Sequence, residues 1–206
     1  MKYDNFGGTW YANTYPCCAC DVPAVWYSLS FALNSNWSTV QPPQYEIEEY
    51  ILKVTEHHKL KDKTKFKTSI EKYVYDDVKN EWIIYGHEVN GRSIIHRAKF
   101  LLACQAEIVY PNHLRAEGLE DFHGSYIHSA LWDHSVDFKS KDVVVVGNGS
   151  SGNQCVPALL KDYEVNSLTQ VIRSKHYIIQ PFPTIFHSLY NLLSWSYIGI
   201  YLVRLI

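Results

Sequence analysis

The sequence predicts an α/β protein. A Rossmann-like dinucleotide-binding unit fills its last third, and a helix and a small antiparallel β-meander precede it. Two stretches carry that prediction. "DVVVVGNGSSG" (residues 142–152) is an apolar run that breaks into three glycines and leads into a helical pattern and a second strand. "TKFKTSIEKYVYDDVKNEWIIYGHEVNGRSIIHRAKFLLAC" (64–104) alternates apolar and polar residues between turn signals at Asp76–Asp77, Lys79–Asn80 and Asn90–Gly91. Period-two alternation bounded by turns predicts three or four antiparallel strands.

The elements follow in order. After Pro42 and Pro43, "QYEIEEYILKVTEHHKL" (44–60) places Ile47, Tyr50, Ile51 and Val54 at helical spacing, with Glu49 and Lys53 paired four residues apart. "AKFLLAC" (98–104) closes the meander and is apolar enough to be a strand buried in a larger sheet. "PNHLRAEGLEDFHG" (111–124) reads as a loop. The second unit starts near residue 141 with the valine strand, a helix over "SSGNQCVPALLKDYE" in which Pro157 should introduce a kink, and the strand "SLTQVIR". Two domains are expected, 1–140 and 141–206.

Composition narrows the function. A net charge of −2 and a pI near 6.5 give no electrostatic case for nucleic acid, which needs clustered Lys and Arg. Five cysteines and an opening without an apolar leader predict a cytoplasmic chain with reduced thiols. Cys17, Cys18 and Cys20 lack a second His/Cys cluster at zinc spacing, so no metal site is expected. "TIFHSLYNLLSWSYIGIYLVRLI" (184–206) is the most apolar stretch. His187, Asn191 and Arg204 interrupt it, which favours a buried or amphipathic helix over a membrane span and leaves a membrane-surface role as the lesser alternative.

The glycines of Gly147-x-Gly149-x-x-Gly152 have a chemical reading. The first permits a tight turn, the second lets backbone approach a diphosphate, and the third lets helix pack on strand. The helix N-terminus then faces the anion. At the end of the second strand an NAD site would carry Asp or Glu. Here Arg173-Ser174-Lys175 stands instead, which favours the 2′-phosphate of NADP.

Between the two units, "FHGSYIHSALWD" (122–133) presents Phe122, Gly124, His128, Trp132 and Asp133 in the pattern Phe-x-Gly-x-x-x-His-x-x-x-Trp-Pro/Asp. This string resembles the fingerprint of Baeyer–Villiger and related flavin-containing monooxygenases. "GGTWYANTYPCCACDVPAVWYSLSF" (7–31) resembles the family's Gly-Gly-Thr-Trp segment, "PPQYEIEEY" its helix start, and "GNGSSGNQ" and "VIRSKH" its NADP turn and 2′-phosphate strand. The resemblance implies a flavoprotein fold of two dinucleotide-binding domains, binding FAD and NADP. The FAD domain is expected to be incomplete and the NADP domain cut short, so that the chain is a fragment.

By that resemblance Gly8, Thr9, Trp10, Tyr11, Asp21 and Tyr27 contact the flavin. Gly147, Asn148, Gly149, Ser150, Ser151, Gly152, Gln154, Arg173 and Ser174 hold NADP. Asp21 is implied in catalysis at the flavin edge, and His128 is implied to couple cofactor movement to catalysis. The implied reaction is oxygen insertion into a ketone or a soft heteroatom through a C4a-peroxyflavin. The alternative is a catalytically inactive chain that at most binds NADP. Two departures stand out: Cys17 and Gln105 occupy positions where the family has glycine. If the backbone at Cys17 takes positive φ, the substitution costs roughly 1 kcal/mol.

Overall fold

The computed structural model describes residues 1–104, 111–177, 192–193 and 196–204. Gly7 and Gly8, at φ 116° and 55°, lead into a single helical turn, α1 (Thr9–Ala12). The irregular stretch after it is tied to residues 40–44 by backbone bonds: Cys20 N to Pro42 O (3.1 Å), Ala24 N to Val40 O (2.8 Å) and Gln44 N to Cys18 O (2.8 Å). Helix α2 (Gln44–His57) starts directly after Pro43, whose fixed φ suits a helix entrance. It buries Ile47, Tyr50 and Val54, while Ile51 is half-buried. Glu49 and Lys53 pair at 2.8 Å on its exposed face. The Tyr50 hydroxyl donates to Ala32 O and accepts from Leu29 N, anchoring the preceding loop to the helix.

The meander has three strands, β1 (Thr68–Asp76), β2 (Glu81–Glu88) and β3 (Ser93–Ala98), in the order β1-β2-β3. Its pairing runs from Thr68↔Glu88 to Asp76↔Glu81, with a bulge between Ile70 and Lys72, and from Trp82↔Ala98 to His87↔Ser93. Asp76 starts the first turn, accepting from the backbone of Val78 and Lys79. The expected strand over 98–104 is a correction: β3 ends at Ala98. No described strand lies beside residues 99–104, so their backbone has no ladder partner, and Phe100 and Leu102 are 88% and 87% exposed.

The last unit is β4 (Asp142–Val146), α3 (Ser150–Asp162) and β5 (Ser167–Val171). The two strands are parallel, in register from Asp142↔Ser167 to Val146↔Val171. Helix α3 runs on through Pro157. The valine run is covered on one face only: Val143 and Val145 pack inward, whereas Val144 and Val146 are 61% and 55% exposed. The inward face joins a core of Tyr15, Cys18, Phe138, Cys155 and Leu159. Trp132 stacks on Phe138 at 5.4 Å, which seats the 122–133 segment on that core.

Helix α4 (Tyr197–Arg204) packs against the 3-10 turn Ala24–Trp26, where Ile200, Ala24 and Val25 are fully buried. The rest of the helix expected over 184–206 lies largely outside the described residues, as does Gln105. Among the described residues no helix is long and apolar enough to cross a membrane. The architecture is α/β, with a three-stranded antiparallel sheet and a separate parallel strand pair.

Candidate functional site

The site is assembled around the turn between β4 and α3. Gly147, at φ 112°, lets the chain reverse while its N–H pairs with Val171 O at 2.8 Å. A Cβ at Gly152 would lie 2.9 Å from Gly147 O, so this position admits only glycine without displacing the turn. At Gly147 and Gly149 a Cβ would meet nothing within 4 Å. The space over the turn is therefore open. Gly149 caps α3 without any side-chain bond, so the amides of the first turn face that space without a capping side chain.

The turn is braced from below. Gln170 Nε2 donates to Gly147 O (2.9 Å), and Asn153 Nδ2 donates to Asn148 O (2.9 Å). Asn148 Nδ2 donates to Ser174 O at 2.8 Å, which brings the exposed Arg173–Ser174 bend beside the glycines. An uncapped helix N-terminus and open glycines are groups that could hold the diphosphate of a dinucleotide.

The N-terminal motif meets this turn through side chains. The Ser150 hydroxyl donates to Asp21 Oδ2 (3.0 Å), which sets the Asp21 carboxylate at the α3 N-terminus. Gln154 does not face the open turn: its Oε1 accepts from the Tyr15 hydroxyl (2.9 Å) and its Nε2 donates to Ala19 O (3.1 Å). Burial pushes the Tyr15 phenol up to about 12, although Ser151 bonds to it. Burial likewise raises the Cys155 thiol to about 12, so this cysteine is a packed thiol and not a nucleophile.

Trp10 and Tyr27 come together edge to face at 5.4 Å. Gly8 precedes them with open space at its Cβ position. Thr9 is exposed and its carbonyl accepts from Asn13. Tyr11 turns its hydroxyl to Asp4. Among the described residues, the turn at 147–152 is the one glycine turn that opens a helix of more than one turn.

His128 stands apart from Asp21, in the wall of a cavity of about 390 Å³ shared with His113, Tyr126 and Asp133. Its Nδ1 accepts from Ala130 N (3.1 Å), capping the 3-10 turn Ser129–Leu131. Burial, and then the neighbouring His113, hold His128 below the ordinary imidazole range. His113 and Tyr15 belong to the surroundings of the site without being legible as site residues, since no spacing in the sequence singles them out; Asp21 and Ser150 were legible, but not the bond between them. Among the described residues no group of three or more His, Cys, Asp or Glu side chains gathers as a metal site.

Solved structures that share this arrangement are monooxygenases. A cyclohexanone monooxygenase structure with bound ε-caprolactone superposes with a TM-score of 0.78 at 28% identity, over 94% of this chain and 38% of that one. An oxidised steroid monooxygenase bound to NADP gives 0.76 at 29% identity, over 94% and 38%. The class these structures define is that of the monooxygenases. More particularly, the model of the L-lysine 6-monooxygenase/L-ornithine 5-monooxygenase family matches residues 30–184, and the chain belongs to that family. A Baeyer–Villiger monooxygenase of Pseudomonas aeruginosa is 38% identical over 153 residues, 74% of this chain and 28% of its own length. The FAD-binding monooxygenase BOA2 of Botryotinia fuckeliana is 33% identical over 175 residues, 84% and 33%. The chain spans about a third of the length of these relatives.

Proposed function

We propose that this chain forms part of an NADPH- and FAD-dependent monooxygenase of Baeyer–Villiger type, acting on a small-molecule ketone or soft heteroatom. Residues 141–206 then belong to a Rossmann-like NADP domain and residues 1–140 to an FAD domain. The carrying observation is the open Gly147–Gly149 turn at the uncapped α3 N-terminus, pinned to Ser174 through Asn148.

In this reading the amides of Ser150, Ser151 and Gly152 hold the NADP diphosphate, and Arg173 with Ser174 holds the 2′-phosphate. The flavin lies along Gly8, Thr9, Trp10, Tyr11 and Tyr27. When bound, the two cofactors supply the hydride and oxygen chemistry, while the chain supplies orientation and charge. Asp21 sits at the α3 N-terminus, where its carboxylate accepts from the Ser150 hydroxyl and so touches the dinucleotide turn. His128, on the segment between the two units, keeps that segment in a defined turn. A second reading, NADP binding without a flavin, rests on the open turn at 147–152 alone.

The test compares NADP⁺ and NAD⁺ binding by calorimetry in the wild type and in Arg173→Ala. The wild type should prefer NADP⁺, and the variant should lose about tenfold or more of that preference, the worth of one charge-assisted bond. Equal affinity for the two dinucleotides in the wild type would refute the NADP assignment. The visible spectrum with excess FAD decides between the two readings, because only the first gives a retained oxidised-flavin band.

A further inference from the structure

His128 is a ring held by its environment rather than by the motif alone. Its Nδ1 accepts from Ala130 N, so the neutral ring carries its proton on Nε2. The same bond caps the Ser129–Leu131 turn that delivers Trp132 onto Phe138. A proton on Nδ1 would convert that acceptor into a donor and break the cap.

His113 approaches from the 111–118 loop. Its ring lies 5.7 Å from that of His128 at 64°, an edge-on contact. Tyr126 fixes this loop: its hydroxyl accepts from Leu114 N at 3.0 Å and lies 3.5 Å from His113 Nδ1. The remaining charged group on the cavity is Asp133, whose carboxylate is taken up by the backbone and hydroxyl of Ser135. Both bonds go to Oδ1, and no hydrogen bond joins this carboxylate to either imidazole.

We propose that His113 is a positioning residue for His128: held by Tyr126, its ring confines the linker imidazole and opposes a proton on it, so that Nδ1 stays free to cap the 129–131 turn. Two rings this close cannot both carry charge without repulsion. A proton on His128 is disfavoured first by burial and then by the neighbouring His113, which together hold the imidazole below its ordinary range. The inference deepens the proposed function, resting on His128 as the functional histidine of the linker, but its test needs no cofactor.

Imidazole ¹⁵N NMR of the full chain follows the tautomer and titration of His128 in the wild type, His113→Gln and Tyr126→Phe. Hydrogen exchange reads the Ala130 amide in the same samples. The wild type should show the Nε2–H tautomer, with Ala130 losing protection as His128 takes up its proton. In His113→Gln both midpoints should move up in pH together, and Tyr126→Phe should shift them in the same direction by less. An unchanged His128 midpoint in His113→Gln, or Ala130 exchange that ignores the His128 titration, would overturn the proposal. Tyr126→Phe serves alone if His113→Gln fails to fold. Failure of NADP⁺ binding with the expected titration intact would refute the functional reading and leave this one standing.

Discussion

At the residue scale, Cys17 holds a backbone conformation that suits glycine. Its φ is 58°, a left-handed conformation that glycine adopts freely and a side chain with Cβ does not. Cys17→Gly should therefore stabilise the fold by about 1 kcal/mol, measured as a raised denaturation midpoint with unchanged m-value. Gln154 sets the opposite case. It bonds to Tyr15 and to both backbone groups of Ala19. Gln154→Ala removes three hydrogen bonds, leaves both backbone groups of Ala19 without a partner in a part-buried place, and should cost about 1–3 kcal/mol. The midpoint in urea checks it, and Tyr15→Phe, which removes one of those bonds, should cost less.

At the element scale, the β4–α3 turn separates folding from binding. Gly149 has φ −70° and open space at its Cβ position. Gly149→Ala should change stability by less than about 1 kcal/mol, yet its methyl fills the space in which the dinucleotide would lie. NADP⁺ affinity should fall by about tenfold or more, read by calorimetry at matched stability. Gly152→Ala differs, because its Cβ presses on Gly147 O and loses stability as well as affinity. The same turn shows how far pattern reading reaches. The strand–glycine–helix–strand order was legible because each step has its own residue chemistry, and so was α2, whose apolar spacing matches its buried face. The stretch 98–104 was not legible as coil. Apolar residues identify a strand only when a neighbouring strand exists to pair with, and that is a property of the surroundings. Gln154 was misleading for a similar reason: a polar residue one turn into a dinucleotide helix can face the ligand or the neighbouring loop, and only the packing of Tyr15 decides.

At the scale of the whole molecule, charge and exposed surface set the solution behaviour. Lys65 and then Arg92 hold Glu88 down to about 2, tying the start of β1 to the β2–β3 turn. A carboxylate lowered on folding gives stability that is full above its ordinary value near 4.5 and is lost as pH falls through about 2. Glu88→Gln should remove that part of the acid limb of the stability curve, measured by thermal unfolding between pH 2 and 6. The outer face of β4 and β5 presents Val144, Val146 and Val171 to solvent. Apolar strand faces of this kind promote association. Val144→Thr with Val146→Thr should lower the sedimentation coefficient at high concentration if that face self-associates.

The sequence by itself determined helix α2, the meander of β1–β3, the strand–glycine–helix–strand order and the family, because periodicity, turn residues and motif spacing are local properties of a chain. Tertiary structure alone decided which side chains meet. It carried Asp21 to the helix 129 residues away, Gln154 to Tyr15, and His113 to His128. Such contacts depend on how the elements pack on the shared core of Tyr15, Cys18, Phe138, Cys155 and Leu159, and packing is a relation between distant segments that no local pattern encodes.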